Sequence, residues 1–294
     1  MNKVLIFGGA RTGTTTLSHC IRNTMLLNCS REPVRGVGTE AFGACPKDLA
    51  DSPLIDEPLN NPLRKPRLDK RDGYVITRCF EKAGVLHKLV LDKKGGVAAI
   101  RKLTAGQIYK LLDEFYAEFH GIKHLHDVVS IQNNKIILDY AADHDIKILY
   151  AHRRGILDVI LSKGASKQEG VWHSFDKENR KIIDSTEYKP IPMNWVNAEY
   201  EKMSRLNEKY PTYLEFKGLE HLDVCYEDFL GPSIGLEERV SFFKNVLEFI
   251  GLEYIDNEII TSALSPETKQ HQKNHYEKIP NIKEIHEWHA QLKK

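Results

Sequence analysis

At 294 residues, with 41% hydrophobic and 28% charged side chains, the chain has the composition of an ordinary soluble globule and enough length for one large α/β domain. Its 42 Lys+Arg against 41 Asp+Glu leave a formal net charge of +1, which excludes a general field for nucleic acid or an anionic membrane and makes any anion site local. No apolar run approaches the roughly 20 residues of a membrane span, and Val4 follows Met1 too closely for a signal peptide, so a cytoplasmic protein without membrane contact is expected.

The first element is a short apolar, β-prone run from Val4 to Phe7. Gly8, Gly9 and Gly13 then let the backbone turn with its N–H groups inward, and Thr14, Thr15 and Thr16 open a helix reaching about Leu27, with Leu17, Ile21 and Leu26 toward the core. Strand, glycine turn and helix start together form an anion site, because the free amides and the helix dipole point the same way. The spacing Gly8-x4-Gly13-Thr14-Thr15 matches a nucleotide P-loop except that Thr14 stands where such a loop carries Lys. The nearby cation is Arg11, inside the turn.

Positions 28–73 carry Pro33, Pro46, Pro53, Pro58, Pro62 and Pro66, a stretch too long for a connector, which reads as a substrate-side loop region with short helices at best. Positions 74–90 fit either helix or strand. The spacing predicts an amphipathic helix over 104–119, with Thr104 as N-cap and Ile108, Leu111, Leu112, Phe115 and Phe119 on one side. A strand at 121–125, a helix at 134–144 and a nearly continuous apolar strand at 146–151 follow. Helical spacing resumes from Gly155 to about Gly164, then a polar loop holds Trp172 and His173. A helix at 193–210, a strand at 222–226, a helix at 236–250 closed by Gly251, and a polar tail from Ser265 complete the chain. Strands alternating with helices imply an α/β fold, a parallel sheet flanked by helices in a single domain. Cys20, Cys29, Cys45, Cys79 and Cys225 are odd in number and share no metal-like spacing, so reduced thiols are expected.

Two segments carry a resemblance. Arg11-Thr12-Gly13-Thr14-Thr15 after a first strand resembles the phosphosulfate-binding loop of the sulfotransferases that use 3′-phosphoadenylyl sulfate (PAPS). Tyr150-Ala-His-Arg-Arg-Gly-Ile-Leu-Asp-Val-Ile-Leu-Ser162 resembles their 3′-phosphate-binding strand and helix, with Arg154 at the strand end, Asp158 four on and Ser162 eight on. A fixed cation at a strand end and a hydroxyl about two turns into the next helix can grip one phosphate from two sides. Arg153 is a neighbour or salt-bridge partner. Val224-Cys-Tyr-Glu-Asp-Phe-Leu230 is similar to the Tyr-Glu-Asp strand of bacterial, soluble members, Gly121-Ile-Lys-His-Leu125 to their second core strand, and Gly170-Val-Trp-His173 to the loop after the 3′-phosphate helix.

The resemblance implies a P-loop-type sheet and one sulfotransferase domain over 1–294, with about 28–103 and 165–192 as substrate-side loops and insertions. It implies transfer of a sulfuryl group from PAPS to an acceptor hydroxyl or amine, with 3′,5′-diphosphoadenosine as product and no metal. Arg11, Thr12, Gly13, Thr14 and Thr15 would hold the 5′-phosphate; Arg154 and Ser162, with Lys269 from the tail, would complete the nucleotide site. Glu40, in a Gly38-Thr-Glu-Ala-Phe42 segment similar to the family's Gly-Glu-x-Phe, is the first candidate for the base that takes the acceptor proton, although Thr39 is an insertion in that pattern. His126 is the second candidate and His173 the third. Lys123 either faces the donor or pairs with an acid, and Trp172 either stacks on a base or fills a loop. His271 and His275, four apart without a third ligand, read as a solvated tail. The acceptor is a small molecule or a carbohydrate, and the oligomeric state is not legible. A kinase with a degenerate P-loop, or a nucleotide-binding protein that has lost catalysis, are the alternatives.

Overall fold

The computed structural model describes residues 2–14, 16–18, 20–21, 24, 68–71, 74–77, 90–92, 104–118, 121–127, 130–170, 177–252, 257–264 and 273–292. The chain forms two compact units, Met1–His152 with Leu214–Ser265, and Arg153–Tyr213 with Pro266–Lys294.

The first unit is built on a four-stranded, all-parallel sheet. Strand β1 (Val4–Gly8) is buried at all five positions, as its unbroken apolar run requires. After it comes α1, helical at Thr14, Thr16, Leu17, Ser18, Cys20, Ile21 and Thr24. Strands β2 (Leu68–Arg71), β3 (Tyr74–Thr77) and β4 (Val90–Asp92) form a separate antiparallel sheet in that order. Helix α2 (Ala105–Glu118) leads to β5 (Gly121–Leu125), α3 (Ile131–Asp143) to β6 (Lys147–His152). The last strand, β7 (His221–Cys225), is followed by α7 (Tyr226–Leu230), α8 (Leu236–Phe249) and α9 (Asn257–Ala263), after α4 (Ile156–Glu169), α5 (Lys177–Ser185) and α6 (Met193–Phe216) of the intervening chain. The parallel order is β5-β1-β6-β7, with Phe7 opposite both His124 and Tyr150. The two inner strands are the apolar ones, while Lys123 and His124 lie on the edge strand β5, and Asp223 on the edge strand β7.

Alternation along the strands separates two faces. Val4, Ile6 and Leu149 pack with Leu17, Ile21 and Phe243 on one. Leu5, Phe7, Ile148 and Tyr150 lie on the other, beneath α2 and α3, where the Tyr116 hydroxyl donates to the Val4 carbonyl at 3.0 Å. The second unit has its own core, in which Leu157, Ile160 and Leu161 of α4 meet Val196 of α6, Ile279, and Ile285 of α10 (Ile282–Gln291). A 3₁₀ helix, Lys273–Lys278, precedes α10. Asn281 fastens this tail to the segment before α6: its Oδ1 accepts the Ile191 N–H at 2.9 Å and its Nδ2 donates to the Ile191 carbonyl at 2.8 Å.

Several boundaries differ from the sequence reading. Positions 68–71 and 74–77 are strands, not loop and undecided segment. Helix α4 runs past Gly164 to Glu169 and stops at Gly170, whose φ is +68°. Gly164 does not break it because it is a contact: a Cβ there would stand 2.5 Å from Ile191 Cδ1 and 3.4 Å from Trp195. Positions 165–169 are therefore helix, not insertion loop. Helix α6 continues beyond Tyr210 through Pro211 to Phe216, losing one backbone donor while Tyr210 and Leu214 stay buried. The strand read at 222–226 ends at Cys225, and Tyr-Glu-Asp is the first turn of α7.

Candidate anion-binding site

The turn after β1 lies where parallel sheets gather ligands, at the carboxyl end of an inner strand. Gly8 is opposite Ala151 on β6 and Leu125 on β5. A Cβ on Gly8 would meet the Ala151 carbonyl oxygen at 2.5 Å and Thr14 Cγ2 at 2.7 Å, so the bare glycine is what lets α1 start against the sheet. Gly8→Ala should cost about 1–3 kcal/mol, since the clashing oxygen belongs to a sheet strand and cannot rotate away. A fall in the urea midpoint at unchanged slope would measure it.

Beyond Gly8 the backbone takes two left-handed residues, Arg11 at φ +71° and Gly13 at φ +84°. Such residues turn successive N–H groups to one side, the backbone form that receives anions. Gly13 suits its position, and a side chain there would also press on Tyr226 Cδ2 at 3.0 Å. Arg11 does not suit its own: a residue with a Cβ at that φ carries a steric penalty of order 1–3 kcal/mol. Thr12 turns its hydroxyl back to the Gly9 carbonyl at 2.7 Å, and the first turn of α1 closes with Leu17 N–H on the Gly13 carbonyl at 2.9 Å. Thr12 and Thr14 are buried and Arg11 is half-buried.

The turn after β5 braces this loop. The His126 N–H donates to the Gly8 carbonyl at 3.0 Å, and Asp127 Oδ1 accepts the Ala10 N–H at 2.9 Å. Asn134, fully buried on α3, donates from Nδ2 to the His126 carbonyl at 2.8 Å and meets His124 Nε2 through Oδ1 at 2.7 Å. With Nδ2 donating, Oδ1 accepts, so this network assigns the His124 proton to Nε2. Burial pushes the His124 pKa down to about 4, against smaller upward effects of the Asn134 bond and the Asp127 charge, and its ring is neutral near pH 7. His124 and His126 both pack on Phe7, at ring-centroid distances of 5.6 and 5.1 Å, and His126 is only 2% exposed.

Sequence reasoning missed Asp127 and Asn134. Asp127 had a signal, an acid just past the strand beside β1. Asn134 had none, because its role depends on which strand α3 packs against. Lys123 is buried, opposite Ile6. Cys20 and Cys225 are free and buried, their thiols pushed up to about 12 and about 11 chiefly by burial, so both are protonated and unreactive near neutral pH.

The Arg153–Ser162 segment belongs to the second unit. Arg153 Nη2 pairs with Asp158 Oδ2 at 3.1 Å, which makes Arg153 the salt-bridge partner. The Asn207 amide donates to the Arg153 carbonyl at 3.5 Å. Arg154 is exposed just before α4, and Ser162 is 2% exposed within it. Thr15, Glu40, Trp172, His173, Lys269 and His271 lie outside the described residues, as does the side chain of His275. Among the described residues, no group of three or more His, Cys, Asp or Glu could hold a metal ion, and no helix is long and apolar enough to cross a membrane. No protein-family model matches the chain, and neither a curated protein nor a solved structure matches it.

Proposed function

We propose that the chain is a P-loop-type sulfotransferase that moves a sulfuryl group from PAPS to an acceptor hydroxyl or amine, acting on a small molecule or carbohydrate in the cytoplasm. The observation that carries this reading is the turn after β1: left-handed residues at 11 and 13 gather backbone donors, and the loop's cation is Arg11 while Thr14 replaces the lysine of a nucleoside-triphosphate loop. Amides at the start of α1 and the Arg11 guanidinium would bind the 5′-phosphate and take up charge as its bond to sulfur breaks. Arg154, two residues past β6, would bind the 3′-phosphate with Ser162. Lys269 would add a charge from the tail. The acceptor oxygen or nitrogen forms the new bond to sulfur, and its proton passes to Glu40. His126 remains the second candidate for that proton; its packing on Phe7 requires a small opening before the ring can meet an acceptor.

One observation favours a second reading. A carboxylate, Asp127, stands beside the loop in the turn after the strand next to β1, and phosphoryl-transfer P-loops hold Mg²⁺ with an acid placed beside the loop. Calorimetric titration with 3′,5′-diphosphoadenosine, then with ATP and Mg²⁺, separates the two. The sulfotransferase reading expects the first ligand to bind at least about tenfold more tightly. The opposite preference would transfer the chain to the phosphoryl-transfer class. A protein that binds the first ligand, and whose behaviour neither Glu40→Ala nor His126→Ala changes, would be a binding protein instead.

A further inference from the structure

Arg11 holds a left-handed backbone that an arginine does not choose for itself, and such strain persists only where the surroundings over-determine it. Both of its neighbours are pinned. Ala10 is held through its N–H by Asp127 Oδ1 at 2.9 Å, and Thr12 is held through its hydroxyl to the Gly9 carbonyl at 2.7 Å. Asp127 is itself placed by a relay: His126 N–H on the Gly8 carbonyl, then Asn134 of α3 on the His126 carbonyl. The acceptor at the head of this relay is 7% exposed, so water competes little for the Ala10 amide.

We propose that Asp127 is the positioning residue of the loop. By taking the Ala10 N–H it fixes the bend at Arg11, aims that guanidinium, and leaves the amides of residues 12–14 for the anion. The carboxylate acts through Arg11 and touches no reacting atom. This rests on the proposed function, in which the loop is an anion site and its carboxylate holds no Mg²⁺.

The test has two readouts. In the ligand-free protein, amide exchange at Ala10 should be slow, should accelerate about tenfold or more in Asp127→Ala, and should stay mostly protected in Asp127→Asn, which keeps an acceptor in the same place. Affinity for 3′,5′-diphosphoadenosine should fall about tenfold in Asp127→Ala and less than about threefold in Asp127→Asn. Titrations run well below the unfolding temperature separate positioning from stability, because a merely structural residue lowers the midpoint without weakening the folded protein's affinity. Unchanged exchange at Ala10 in Asp127→Ala would overturn the proposal. So would faster exchange with unchanged affinity, or an Asn variant as impaired as the Ala variant, which would assign the effect to charge. Should Asp127→Ala fail to fold, Asp127→Ser supplies the shorter acceptor and must fall between wild type and complete loss on both readouts. If wild type does not bind 3′,5′-diphosphoadenosine, the proposed function and the ligand-positioning role both fail, while the exchange at Ala10 still tests what holds the loop.

Discussion

Between pH 6.5 and pH 4 the folded chain should lose roughly 3 kcal/mol of stability through His124 alone. An unfolded histidine takes up its proton near pH 6.5, whereas burial holds the folded His124 near 4. Across that window the unfolded chain binds the proton and the folded one does not. The stabilisation is therefore complete above pH 6.5 and is lost as the pH falls toward 4. Urea midpoints at pH 7, 5.5 and 4 should show it, and His124→Gln should flatten the dependence while retaining an amide opposite Asn134. Equal slopes for wild type and His124→Gln would remove His124 as the cause.

Arg154→Ala should weaken 3′,5′-diphosphoadenosine by about 10- to 100-fold while changing 5′-AMP by less than about threefold. Those factors correspond to one charge-assisted contact to phosphate, worth roughly 1.5–3 kcal/mol, that only the first ligand can make. Arg154 is exposed just before α4, so its truncation uncovers little buried surface. Paired calorimetric titrations decide the matter. Equal losses for both nucleotides would remove Arg154 from the 3′-phosphate.

The inner sheet was legible because its strands carry their burial in composition. Val4-Leu-Ile-Phe7 and Ile148-Leu-Tyr-Ala151 are apolar at every position, which suits a strand covered on both faces. The turn at Gly8, Gly9 and Gly13 was legible for a related reason, since glycines mark where backbone must approach backbone. Residues whose meaning depends on a distant partner were misread. Gly164 looked like an end because a glycine in helical spacing usually weakens it, yet here the missing side chain admits Ile191. The helix read over 193–210 runs on through Pro211, whose nitrogen cannot donate, because one lost bond does not outweigh burial on either side. The Tyr226 turn read as strand because Val224-Cys-Tyr is β-prone, while its ring serves as a contact for Gly13. Asp127 was passed over because an acid after a strand is ordinary until its amide partner is known.

The interleaving of the two units sets an order for biosynthesis. Residues 214–265, which complete the first unit, leave the ribosome before the last piece of the second, 266–294. Helices α4 and α6 must therefore wait for Ile279 and Ile285 before their apolar surfaces are fully covered. Asn281 reaches back 90 positions to satisfy both backbone groups of Ile191, so the nascent chain lacks these two bonds until residue 281 is made. A chain stalled or cut before 273 should thus present α4 and α6 to chaperones and proteases, although it already contains every strand of the parallel sheet.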